Sequence, residues 1–405
     1  MAGNTAVVVI GGGYAGVMAA NRLTKREGVD VTLVNPRPSF VDRIRLHQFV
    51  NGSHDGVTEY GRLLASGVRL VVDTVAEIDA AGRSLALASG DTLTYDYLIY
   101  AVGSMSAEVR VPGGAEFAYP LGGWEQARRL RDAVEAAPAA APLTVVGSGT
   151  TGLETAAELA EAGRKVTLVC GELLAPSLHP SARRSVAKRL ARLGVTVVEG
   201  PGARVAEVTR DAVVLADGRE LASAVTVWTA GFTVPDLAVR SGLSTDAVGR
   251  LLTDETLTSV DDERVVAAGD AAAPSGLPYR MSCQAAVQLG PQAAETVLSR
   301  IADERPARVE VGFAAQCLSL GRRAGLLQLA EKDDTVKKQY VAGRAGALVK
   351  EMICRGIPWQ LRYEARKPGV RTWWSKDAGR EALVATGGRP ATRRAEAPAV
   401  AEQVA

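Results

Sequence analysis

A strand, a glycine-rich turn and a helix occur in that order twice in this chain, and each copy is closed by a second strand. Near the start, Ala6-Val7-Val8-Val9-Ile10 reads as a buried parallel strand, Gly11 to Gly16 as a turn, an alanine-rich run to about Lys25 as a helix, and Val29 to Val34 as the next strand. About one domain later, Leu143 to Val146, Gly147 to Gly152, a helix to about Ala162 and Lys165 to Cys170 repeat the arrangement. Parallel strands need a helical crossover, and the helices must cover both faces of the sheet. The repeat therefore predicts an α/β chain with two doubly wound domains, and 405 residues are enough to give each its own core.

Both turns read Gly-x-Gly-x-x-Gly. In the first, Gly11, Gly13 and Gly16 enclose Gly12, Tyr14 and Ala15; in the second the glycines are Gly147, Gly149 and Gly152. One glycine makes the tight turn, one lets backbone approach a pyrophosphate, and one permits close packing of helix on strand. The free N–H groups of the helix start then face the phosphates. Two such turns imply two dinucleotides, and the chemically sensible pair is FAD with a nicotinamide. The acidic residue that usually holds a ribose at the end of the second strand is absent: Asn35 stands there in the first unit. In the second unit Cys170 ends the strand and Glu172 follows. No arginine is placed to welcome a 2′-phosphate and Glu172 would repel one, which predicts NADH over NADPH. A third piece, Val265 to Ala271, is a hydrophobic strand running into Gly269-Asp270. It is expected to complete the first sheet, with Asp270 on the ribityl chain, although a helix N-cap aspartate would read the same way. Ala101 and Gly103, ending the strand from Tyr97, and Gly231, after Val225 to Trp228, are expected beside the cofactors too.

The order of these motifs resembles the flavoproteins of glutathione reductase fold that carry two dinucleotide-binding domains. Within that group it is most similar to the type II NADH:quinone oxidoreductases. The matching segments are Gly152-Leu153-Glu154-Thr155-Ala156-Ala157-Glu158-Leu159, Trp228-Thr229-Ala230-Gly231 and Gln284-Ala285-Ala286-Val287-Gln288-Leu289-Gly290, with a partial match over Ser39 to Gly52. The resemblance implies a FAD domain split into 1–112 and 243–310, with an NAD(P)H domain inserted at 113–242. A C-terminal interface module at 311–378 and a tail at 379–405 follow. The tail's Ala, Pro, Arg and Glu composition predicts disorder. Glu154 is implied near the nicotinamide, and Gln284 and Gln288 beside the isoalloxazine. Their roles would be positioning, because hydride transfer needs stacking and orientation rather than a side-chain acid or base. On residues alone, Glu154 also reads as a carboxylate complementing a helix dipole, and the glutamines as polar positions on an exposed face. The implied reaction passes electrons from NADH through FAD to a quinone or quinone-like acceptor. Reduction of a small redox protein, tailoring of an aromatic metabolite, and redox sensing keep the same motifs and stay open.

Forty-seven basic against 45 acidic side chains leave a net charge of +2, too small for nucleic acid as the main partner. The four cysteines are scattered, and residues 39 to 60 hold none, which excludes the disulfide relay usual in this fold. They read as buried small apolar residues, and no metal site is expected. His47, beside the presumed flavin segment, reads as a packing residue rather than a proton donor. No apolar run reaches the roughly 20 residues of a membrane span, so a cytoplasmic protein is expected. Basic residues mixed with tryptophan in the C-terminal module (Lys350, Arg355, Trp359, Arg362, Trp373, Trp374) leave peripheral membrane contact open, as they do a homodimer contact. Pro358 and Pro368 are expected to interrupt any long helix there. The nucleotide preference is directly measurable: kcat/KM for NADH should exceed that for NADPH, and a preference of about tenfold the other way would overturn the reading of Glu172.

Overall fold

The computed structural model describes residues 4–370 and 375–387. Its first sheet has the order Val265–Ala267, Tyr97–Tyr100, Thr5–Ile10, Val29–Asn35, Val68–Val72, with every pair parallel. The late strand Val265–Ala267 joins the early ones, as its hydrophobic run into Gly269-Asp270 predicts. The second sheet, also all parallel, runs Ala118–Pro120, Val225–Trp228, Pro142–Val146, Lys165–Val169, Thr196–Val198. In both, the central strands are mostly apolar, rich in Val, Ile and Leu, because each face is covered. Val7 and Val9 pack into one core with the helices Tyr14–Leu23 and Cys283–Ile301, while Val8 and Ile10 face another with Leu98, Tyr100 and Leu251.

The two helices on the first sheet touch backbone to backbone. A Cβ on Gly290 would lie 2.2 Å from the carbonyl oxygen of Ala15, and one on Gly269 3.0 Å from the Ala15 methyl. Gly290 therefore sets how closely the helix Cys283–Ile301 approaches the first glycine turn.

The C-terminal module is an antiparallel sheet, Ala315–Ser319, Gly325–Ala330 and Val336–Ala342, followed by the helix Gly343–Arg366. It is built into both domains. Ile357 and Leu361 enter the core of the first, while Leu318 and Leu326 enter the core of the second together with Leu46 and Phe49. Pro358 lies inside the helix, which corrects the expectation that it would break it. Proline forfeits one backbone bond, about 3 kcal/mol with its steric cost. Here Ile357 and Leu361 are fully packed on either side and Cys354, one turn earlier, is 1 % exposed, so burial holds the helix through the defect. Trp373 and Trp374 lie outside the described residues.

The first residues of the stretch 379–405, expected as a tail, are built into the fold. Arg380–Ala385 is a helix, and Arg380 is buried in a bidentate pair with Glu255 at 2.9 and 3.1 Å, with its guanidinium over the ring of Tyr279. One paired cation anchors a segment that has little apolar surface of its own. Residues 388–405 lie outside the described residues.

Gly346 and Gly325 face each other where the last helix crosses its sheet, and a Cβ on Gly346 would sit 2.4 Å from the Gly325 carbonyl oxygen. Gly346→Ala should gain up to about 1 kcal/mol of helix propensity but lose about 1–3 kcal/mol to overpacking. A net fall in the thermal unfolding midpoint is the expected result, and a rise would show that the crossing is loose.

A candidate dinucleotide site and the buried cluster beside it

The two glycine turns share one backbone plan. Gly11 and Gly147 take φ of +100° and +111°, open to glycine and strained for other residues. A Cβ on Gly11 would lie 2.3 Å from the Ala101 carbonyl oxygen, and one on Gly147 2.7 Å from Thr229 Oγ1. A Cβ on Gly16 or on Gly152 would lie 1.8 Å from the carbonyl oxygen of the turn's first glycine. These four positions are glycine because the protein itself fills the space. Gly13 and Gly149 differ. Each is the N-cap of its helix, each is exposed, each has an ordinary φ of −80° or −68°, and a Cβ there would meet nothing within 4 Å. Nothing inside the protein requires glycine at these two places. They look out from helix N-termini, where backbone N–H groups favour an anion.

Other residues lock the first turn. Asn35 accepts from the Gly12 N–H at 3.0 Å and donates to the Arg37 carbonyl at 2.9 Å, and the Tyr60 hydroxyl donates to the Gly12 carbonyl at 2.7 Å. Asn35 thus spends its amide on the turn, which its position at the strand end did not reveal. Tyr14 is buried beneath, donating to Asp42 at 2.6 Å. Ala101 is buried against Gly11, and Gly103, at φ +72°, opens the loop to Ser104. Asp270 accepts from the Ser104 hydroxyl at 2.7 Å and from the Ser282 N–H at 3.1 Å, tying that loop to the start of the helix Cys283–Ile301. In the second domain the Thr229 hydroxyl donates to the Val146 carbonyl at 2.8 Å, and Gly231, at φ +82°, abuts Ala107 of the first domain. Glu172 is exposed beyond the strand Lys165–Val169.

The sequence-predicted glutamines are held by the C-terminal module. With its amide oriented to satisfy both groups, Gln284 donates to the Ala315 carbonyl and accepts from the Ala314 N–H, both at 3.1 Å. Gln288, 3 % exposed, donates to the carbonyls of Gln284 and Gly312 and accepts from the Ser375 N–H at 2.7 Å. Both side-chain amides therefore act as joints between the helix and the module.

Glu154 sits on the helix Thr150–Glu161 and is 6 % exposed. Three parts of the chain converge on it. Lys350 from the last helix reaches its Oε1 at 2.9 Å, the Ser319 N–H donates to the same oxygen at 2.9 Å, and His47 Nδ1 lies 3.9 Å from Oε2. The His47 Nε2 is 3.0 Å from the Ser319 hydroxyl. Burial pushes the Glu154 carboxyl up, but the ammonium of Lys350, His47 and the Ser319 N–H together hold it below its ordinary value. Burial pulls the Lys350 ammonium down, and Glu154 more than restores it, so the two form an ion pair. His47 goes the other way. Burial lowers it to about 4 against the pull of Glu154, so it is neutral at pH 7 and its contact with Glu154 is then no salt bridge. Lys350 is the residue that sequence reasoning passed over as one of many C-terminal cations. Its partner is some two hundred positions away, and no local pattern marks it. Of the four cysteines expected to be buried, only Cys354 is fully buried, while Cys170, Cys283 and Cys317 are partly covered; desolvation still raises all four thiols, with Cys170, Cys283 and Cys354 pushed to about 12. Among the described residues no cluster of metal-ligating side chains occurs.

Because the folded protein binds a proton at His47 only near pH 4 while the unfolded chain binds it near 6.5, stability is full above 6.5 and falls as pH drops through that window. The loss should be on the order of 3 kcal/mol. His47→Gln, which can still bond the Ser319 hydroxyl, should flatten urea midpoints measured from pH 6.5 to 4. An unchanged slope would place the protonation elsewhere.

Comparison with known proteins agrees with this construction. A family profile described as pyridine nucleotide-disulphide oxidoreductase matches residues 5–293. An NADH dehydrogenase-like protein of Mycobacterium tuberculosis is 30 % identical over 346 residues, covering 78 % of this chain and 86 % of that one. A type II NADH:quinone oxidoreductase of the same organism is 29 % identical over 350 residues, covering 75 % and 74 %. Among solved structures, the sulfide:quinone oxidoreductase of Aquifex aeolicus superposes with a TM-score of 0.75 at 18 % identity, over 90 % of this chain and 93 % of that one, a likeness of fold. Paired parallel sheets, paired glycine turns and a profile spanning both make this chain a member of the pyridine nucleotide-disulphide oxidoreductase family, an NAD(P)H-dependent oxidoreductase.

Proposed function

We propose that this chain oxidises NADH and passes the two electrons, by way of FAD, to a quinone or quinone-like aromatic acceptor. The observation that carries the reading is the pair of exposed glycines, Gly13 and Gly149, whose absent side chains leave room that no protein atom uses. A diphosphate fits both places, since it needs close backbone approach and unpaired N–H groups. FAD, when bound, supplies the capacity to take a hydride and release electrons. The first domain would hold it through the N–H groups after Gly12 and through the free lone pairs of Asp270. The second domain would hold the nicotinamide dinucleotide at Gly149, with Glu172 set against a 2′-phosphate.

At the acceptor end, the chain's own contribution is Lys350. Its ammonium has three N–H groups, and Glu154 occupies only part of that capacity. Held protonated in a buried site, it can donate to the carbonyl oxygen of a quinone as charge develops there. The balance is NADH, one proton and the quinone giving NAD⁺ and the quinol. The printed name of the type II NADH:quinone oxidoreductase of Mycobacterium tuberculosis supports the acceptor class, and that of the NADH dehydrogenase-like relative supports the donor.

No helix among the described residues is long and apolar enough to cross a membrane. On the helix Gly343–Arg366, however, Leu348, Met352 and Trp359 are 63, 56 and 48 % exposed and share one face, with Arg344, Arg355 and Arg362 on the same helix. Apolar side chains rimmed by arginine suit the surface of an anionic bilayer. Pelleting with anionic vesicles at low salt, lost in Leu348→Ser/Met352→Ser, is the expected result; no pelleting removes membrane contact from the reading.

The cofactors can be separated by the two open glycines. Gly13→Ala should fold and purify with little or no bound flavin. Gly149→Ala should stay yellow yet need at least about tenfold more NADH for half-maximal bleaching. Each costs only about 0.5–1 kcal/mol as a poorer N-cap. A wild-type protein that binds no flavin, or a yellow one that never bleaches with NADH, would end the proposal.

A further inference from the structure

Beside the buried pair lies a cavity of about 520 Å³, and its lining does not match a neutral acceptor. Ser319 and Lys350 form its inner end, both hydrogen-bonded to Glu154. Ala347 and Leu348 supply an apolar wall. Apart from Gly321 the remaining lining is charged: Arg322, Arg323 and Arg344 with one carboxylate, Glu351. That carboxylate is already shared among Arg45 at 3.1 Å, Arg322 at 3.2 Å and Arg355 at 2.8 Å, and these guanidinium contacts bring it to about 2 despite partial burial. It has little charge left to offer. Arg323 and Arg344 are both exposed at the cavity and have no anionic partner among the described residues.

We propose that this cavity admits an acceptor carrying an acidic substituent, a carboxylate, sulfonate or phosphate, which Arg323 and Arg344 hold while the ring lies against Leu348 with its carbonyl toward Lys350. This rests on the acceptor reading above and deepens it. Guanidinium groups fork onto such anions with paired, charge-assisted hydrogen bonds. The same chemistry could come from a phospholipid headgroup. The concave shape favours the acceptor as the source: a volume of this size suits a small aromatic molecule, whereas a headgroup at the rim would leave the inner end beside Lys350 unfilled.

The test uses the flavin-loaded protein without lipid and a matched pair of acceptors, naphthoquinone and naphthoquinone sulfonate. Arg323→Gln/Arg344→Gln should raise KM for the sulfonate relative to KM for the parent by at least about tenfold, and Arg210→Gln, at an exposed turn of the second domain, should leave that ratio alone. The wild-type preference should also shrink as salt rises from about 0.05 M to about 0.5 M. Calorimetric binding of naphthoquinone sulfonate to the oxidised protein should weaken in parallel in the double variant, a readout that needs no turnover. An unaltered KM ratio with unaltered binding overturns the subsite while leaving quinone reduction standing. Loss of binding to anionic vesicles in the double variant with the ratio unaltered overturns it in favour of a lipid headgroup. Bleaching by NADH with neither quinone reduced refutes the acceptor reading itself; the anion subsite then stands or falls on the calorimetry.

Discussion

A buried carboxylate dictates how the parts of this molecule meet. Glu154 is placed by the second glycine turn on a helix that points it out of its own domain. There it is closed over by Lys350 from the last helix, Ser319 from the C-terminal sheet and His47 from the first domain. Desolvating a carboxylate costs several kcal/mol, and a buried partner that is already hydrogen-bonded is what offsets it. Removing one member would leave the other charge stranded, at a cost of about 3–5 kcal/mol. The pair therefore gives register more than net stability. It fixes which turn of the helix Gly343–Arg366 faces the second domain, and hence what lines the cavity beside it.

That registration depends in turn on places where side chains are absent. Gly346 against Gly325 brings the last helix down onto its sheet, and Gly290 against Ala15 brings the helix Cys283–Ile301 down onto the first turn. At each crossing backbone meets backbone, and a methyl group would push the elements apart by a distance that a lysine–carboxylate contact of 2.9 Å does not tolerate. The glycines of the two turns divide by the same test into those the protein fills and the two it leaves open. Structure and ligand make different demands on the same residue type, and the empty space around a missing Cβ tells them apart.

The cluster also shows how burial sorts ionisable groups by partner. Lys350 and Glu154 sustain each other's charge, while His47, 3.9 Å from the same carboxylate, loses its own. An imidazole near neutrality gives up its proton more readily than an ammonium does. With Lys350, Arg322 and Arg45 all working against it, desolvation decides the outcome.

The sequence alone carried the periodic and local features. Alternation of apolar strand, glycine turn and helix is written in adjacent residues, so both parallel sheets, their turns and the return of Val265–Ala267 to the first sheet are legible in the sequence. Burial over distance is not. Asn35 locking the first turn, Gln284 and Gln288 joining the C-terminal module, a helix continuing through Pro358, and Arg380 buried against Glu255 each depend on a partner far away in the chain. Above all, Lys350 is one cation among many until the fold sets it 2.9 Å from Glu154. Short-range propensity fixes elements, but the free energy of a charged group is set by whatever the tertiary structure brings within a few ångströms of it, and no run of neighbouring residues records that.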